Sequence, residues 1–82
     1  MKYYVFALEQ TLIDGVYNEY APAVKKYNDF QSAEVYFLSR LAEIRNSANH
    51  VYGHLMIVNS KGGNERDYVV GEYVKVPETP NE

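Results

Sequence analysis

The chain contains no cysteine and no tryptophan. Without cysteine, neither a disulfide nor a thiolate-held metal can stiffen a domain of 82 residues. At that size a single core only just outweighs chain entropy, so stability must come from packing or from association. The same absence fits a reducing compartment. No apolar run approaches the ~20 residues that span a bilayer. Met1-Lys2-Tyr3-Tyr4 also lacks the basic start, apolar core and small-residue cleavage site of a secretory signal. A cytoplasmic protein with no membrane partner is expected.

An excess of one charge is missing too. Lys and Arg number 8 against 11 Asp and Glu, and two of those acids, Glu78 and Glu82, fall among the last residues. Such a near-neutral surface neither attracts phosphate backbones nor imitates them, so nucleic acid is not an expected partner.

Motifs of chemistry are scarce. None of the four serines stands in a Gly-x-Ser-x-Gly setting, and no spacing puts a histidine beside one. His50 and His54 are four apart, about 13 Å along a strand, too far to share a metal. They read as ordinary surface or interface histidines. Ser60-Lys61-Gly62-Gly63-Asn64 carries glycines and a lysine, but a P-loop has its lysine after the glycines and opens a helix. This segment reads as a hairpin turn. Glu9, Glu34, Glu43 and Glu72 read as a solvated face, and Arg40 with Glu43 as helix-surface neighbours. No enzyme activity, metal or cofactor is expected.

What the chain does have is tyrosine, nine of them, and strands without a polar side. Tyr3-Tyr4-Val5-Phe6-Ala7-Leu8 and Leu55-Met56-Ile57-Val58 are apolar on both faces, a pattern of strands covered on both sides. Tyrosine suits both strands and interfaces, with its broad apolar body and polar tip. Aromatics on a sheet can also stack RNA bases, but such platforms come with a basic groove that this chain lacks.

The first strand runs from Lys2 to about Leu12, and Asp14-Gly15 supplies a tight turn. Val16 to Tyr27 reads as a weaker partner, with Pro22 marking an edge or bulge. Asn28-Asp29 offers an N-cap for a helix from Phe30 to about Asn46. Phe30, Ala33, Phe37, Leu41, Ile44 and Ala48 form one stripe facing the sheet. Val35, Leu38 and Ala42 form a second stripe, which either a curled sheet or another chain must meet. Val51 to Asn59 is the strongest strand, turned by Gly62-Gly63-Asn64 and returning from Arg66 to Val76. The domain is thus 1–76, and 77–82 is a tail whose composition cannot pack and is expected to be disordered.

A three-residue loop at Gly62-Gly63-Asn64 would pair Lys61 with Glu65, His54 with Glu72 and Gly53 with Tyr73, joining opposite charges and covering a glycine. Val51, Gly53, Leu55, Ile57, Val69, Gly71 and Tyr73 would then lie beneath the helix. The opposite face would carry Tyr52, His54, Met56, Val58, Tyr68, Val70, Glu72 and Val74. The fold expected is α+β, of order ββαββ: a four-stranded antiparallel sheet with one helix across one face. One helix covers one face only; the other needs a partner, most simply a second copy. The expected interface is Tyr52, His54, Met56, Val58, Tyr68 and Val70, with Val35 and Leu38 on the helix.

The opening Lys2-Tyr3-Tyr4-Val5, the helix residues Ala33, Phe37 and Ala42, and the strand and turn Val58-Asn59-Ser60-Lys61-Gly62 resemble those of short proteins from bacteriophage and mobile-element genomes. The resemblance spans most of the chain and implies action by binding, either blocking a host defence protein or holding a signalling nucleotide. The expected function is accordingly non-enzymatic binding by a homodimer or higher oligomer, as a phage accessory or anti-defence factor with a host protein as target. The alternative is a small, nucleotide-like ligand held between protomers by tyrosines and by His54, Arg40 and Arg45.

Overall fold

A computed structural model describes residues 1–75. The expected domain boundary at Val76 and the expected tail 77–82 lie outside the described residues. The elements are β1 (Tyr3–Ile13), β2 (Val16–Glu19), β3 (Ala23–Tyr27), α1 (Phe30–Asn46), β4 (His50–Asn59) and β5 (Asn64–Gly71). All pairings are antiparallel, and β1 and β4 are the central strands.

The α+β class and the single helix across one face are as expected, but the sheet has five strands, not four. The expected partner strand 16–27 is two strands on one edge of β1. β2 pairs with Gln10–Ile13 and β3 with Tyr3–Ala7. The break falls at Tyr20, Ala21 and Pro22, where proline has no N–H for the ladder. The turn between β1 and β2 has Asp14 and Gly15 both at positive φ, as a tight hairpin of that sequence requires.

Helix α1 starts where Asp29 accepts the N–H of Ser32 at 2.8 Å, a cap that contributes about 1 kcal/mol. It buries Ala33, Phe37, Leu41 and Ile44 against Val5, Ala7, Leu55 and Ile57 of the sheet, and these eight form the core. Phe30 packs at its margin, edge-on to Tyr3. Ala48, expected in the same stripe, lies beyond the helix end and is exposed. Gly53 lets the helix come close: a Cβ there would stand 3.0 Å from two carbons of Ile44. Val35 and Leu38 are 64% and 54% exposed, so the sheet does not curl to reach the second stripe.

The last hairpin departs from the expected register. Its turn is built by Asn59, whose Oδ1 accepts the N–H groups of Lys61 and Gly63 while its Nδ2 donates to Glu65. The three-residue loop is therefore Ser60-Lys61-Gly62, with Gly62 at φ +87. Glu65 is then left over as a bulge between the pairs Val58–Asn64 and Ile57–Arg66. One inserted residue reverses the facing of everything after it. Gly53 pairs with Val70 rather than Tyr73, His54 with Val69 rather than Glu72, and Leu55 with Tyr68. Tyr68 and Val70 thus share the helix side of the sheet, where Val70 packs against the core and Arg66 reaches Glu34 at 2.7 Å. Val69 and Gly71 move to the other side. Gly71 also ends the strand, earlier than Val76, at φ +72.

Candidate functional site

The sheet face away from the helix is assembled in rows that cross the strands. Phe6 lies between Val24 and Met56, with Asp67 beyond; Leu8, His54 and Val69 form the next row, and Tyr4 lies between Lys26 and Val58. A solvent-facing row should be polar. Here Val24 and Val69 are each 52% exposed, and Tyr4, Phe6, Met56 and Val58 are half-buried. The polar groups at the margins include Lys26 on β3 and Glu19 on β2 along one edge, and Asn64 and Asp67 on β5 along the other, Asp67 lying 2.5 Å from His54 Nε2.

One end of this face is covered by the chain itself. The turn at Gly71 directs Glu72 to Val74 across β4 to β1, where Gln10 waits with its amide. Gln10 Oε1 accepts the Val74 N–H at 2.9 Å and its Nε2 donates to the Val74 carbonyl at 2.7 Å. Both halves of a buried amide are thereby satisfied, at 1% exposure. Tyr73 lies edge-on to Tyr52 at 5.5 Å and donates its hydroxyl to Glu19, a bond that raises the phenol's pKa. Gln10 was not legible as a site residue; its only signal is a glutamine on the strand face otherwise occupied by Tyr4, Phe6 and Leu8.

The expected interface residues therefore lie in three places. Tyr52, His54, Met56 and Val58 share the open face, Tyr52 at its covered end. Tyr68 and Val70 are on the opposite side of the sheet, displaced by the Glu65 bulge. Val35 and Leu38 are on the outer side of the helix, Val35 at the margin of a groove with Tyr27, Gln31 and Tyr36.

The helix side carries a polar cluster. Arg40 Nη2 meets Glu9 Oε2 at 2.5 Å, and His50 Nε2 meets Glu9 Oε1 at 2.8 Å. Glu9, expected on a solvated face, has a side chain only 10% exposed. Burial pushes its carboxyl pKa up, but the hydrogen bonds and positive charge of Arg40, and those of His50, outweigh this and hold it below the ordinary value. Arg40 also holds Glu43 at 2.5 Å, the helix-surface contact expected. His50 and His54 do not point the same way. The pairing shifts between Gln10 and Thr11, leaving Val51 as an extra residue, so His50 turns to the helix side and His54 to the open face. Nδ1 of His50 is buried with no hydrogen-bond partner among the described residues.

This cluster lines a cleft of about 390 Å³ with Ala7, Tyr20, Ala21 and Ala23. Of the ligand contacts expected from the sequence, Arg40 is in the cleft, Arg45 is exposed in the last helical turn, and His54 is across the sheet. The three are not brought together within one chain.

No helix among the described residues is long and apolar enough to cross a membrane. Comparison of the chain with protein-family models, curated proteins and solved structures finds no match.

Proposed function

We propose that this chain is a non-enzymatic binding protein that assembles as a homo-oligomer through the open face of its sheet. The observation that carries this reading is the run of rows centred on Phe6 and Met56, apolar where an uncovered antiparallel face should be polar. Its marginal charges favour a second copy as occupant. Lys26 lies at the β3 edge and Asp67 at the β5 edge. A two-fold axis along the strands brings Lys26 of one copy to the edge that carries Asp67 of the other, twice, as an isologous interface requires, while Glu19 of the Lys26 edge is engaged by Tyr73 at the covered end. A host protein as the target of the assembled form is what the resemblance in β1, α1 and the end of β4 adds; the lack of cysteine supports a cytoplasmic setting.

Light scattering at micromolar concentration tests the assembly, with at least two chains expected. Met56→Glu places a carboxylate at the centre of the face, where burial without a partner costs several kcal/mol, so it should give a folded monomer. Leu55→Glu is the contrast. Leu55 is fully buried beneath the helix, and its replacement should abolish folding. A monomeric parent chain with a cooperative melt would refute the reading.

A further inference from the structure

The cleft beside Arg40 lies on the other side of the sheet from the open face and goes beyond the assembly proposed above. It opens where the edge strand breaks between Glu19 and Ala23. Its volume comes from what three positions lack: Ala7, Ala21 and Ala23 contribute only methyl groups, and Pro22 keeps the ladder from closing the gap. The polar wall draws on three elements, Glu9 from β1, Arg40 from α1 and His50 from β4.

The chemistry of that wall selects its ligand. Arg40 is shared between two carboxylates, Glu9 and Glu43, which leaves no surplus positive charge to attract a phosphate or carboxylate. Hydrogen-bonding capacity nevertheless remains. A guanidinium has five N–H groups and each carboxylate oxygen two acceptor sites, so Arg40 beside Glu9 sets donors next to acceptors. Tyr20 adds an aromatic ring at the rim, and the alanine methyls make an apolar lining. Small-molecule sites run from about 300 Å³ upward, so this cleft is of a size for a ring and little more.

We infer that the cleft binds an uncharged planar ring that carries a hydrogen-bond donor beside an acceptor on one edge, as the amide edge of a nucleobase does. The ring lies among Ala7, Ala21, Ala23 and Tyr20, and its edge faces Arg40 and Glu9. The recognised part is the base, not a phosphate.

Titration of the ¹⁵N-labelled chain with uridine, guanosine, 3-methyluridine, uridine 5′-monophosphate and inorganic phosphate tests this. Uridine or guanosine should give saturable shifts at the amides of Ala7, Tyr20, Ala21 and Ala23. 3-Methyluridine, which lacks the donor, should bind at least ~10-fold more weakly, because the site's polar groups are then left without a partner. The monophosphate should bind no more tightly than the nucleoside. Ala23→Leu, on an exposed edge, and Ala21→Leu should each weaken binding by at least ~10-fold through lost volume, with melting temperature and solution mass unchanged. Shifts with phosphate alone, no response to either nucleoside, or binding that survives both leucine variants would each overturn the inference. None of these results depends on whether the open face associates.

Discussion

Gly71→Ala is the perturbation that most directly tests how the open face is closed at one end. Gly71 has φ +72, a conformation that costs an L-residue about 1–2 kcal/mol. An added Cβ would also stand 3.0 Å from the Val51 carbonyl carbon, and nearer still to its oxygen. Both atoms are backbone in a central strand and cannot yield as a flexible side chain would. The cheapest relief is to release the segment after Gly71. Release forfeits the bond from Glu72 N–H to the Val51 carbonyl and the two bonds between Val74 and the Gln10 amide. At about 0.5–1.5 kcal/mol for each of these and for the Tyr73 hydroxyl bond to Glu19, with a similar amount for the Tyr52–Tyr73 contact, the loss is capped at about 2.5–7.5 kcal/mol. The helix and its core are untouched, so the domain should remain folded. Hydrogen exchange should show the Val74 amide losing protection while the Ile57 amide keeps it, and urea denaturation should give the stability loss. Gly62→Ala is the control. Gly62 has φ +87 but nothing within 4 Å of an added Cβ, so only the conformational cost of about 1–2 kcal/mol applies. If the two variants lose equal stability and Val74 stays protected, the crossing segment is not held as described.

The close approach of helix and sheet predicts that Gly53→Ala loses about 1–3 kcal/mol by overpacking against Ile44, and that adding Ile44→Val recovers part of this in a double-mutant cycle. Glu9 predicts a pH dependence. Its folded-state pKa lies below the ordinary 4.5, so its contribution is present above that value and lost as pH falls through the lower one. The stability gap between the parent chain and Glu9→Gln, measured in urea, should be wide at pH 7 and close as pH drops below 4.5. A gap constant across that range would show that the carboxylate is not held by Arg40 and His50.

Local signals were enough for the helix and the first turn but not for the strand count, since 16–27 divides into β2 and β3 and the last strand ends at Gly71. Asp29 before an apolar stripe marks the helix, and the observed span Phe30–Asn46 follows from that cap and period. Asp14-Gly15 marks the first turn and Pro22 the weak point of the edge strand. The apolar character of both faces of β1 and β4 was equally plain, since it depends only on composition along a strand. Facing was another matter. A strand alternates with period two, so each side assignment inherits every residue counted before it, and one bulge reverses all that follow. The extra residues Val51 and Glu65 carry no local mark; they are set by pairing with Thr11 and Ile57 and by the Asn59 turn, contacts between strands. That is why Tyr68 and Val70 changed sides, and why the two histidines diverged. The cleft and the Gln10 clamp depend on residues far apart in the chain, Glu9 with Arg40 and His50, Gln10 with Val74. The sequence by itself determined the helix, the α+β class and the apolar character of both faces of the central strands, but not that 16–27 would divide into two strands. Only the tertiary structure decided which side chains share a face or a cleft, because that depends on register and on pairings that no local stretch encodes.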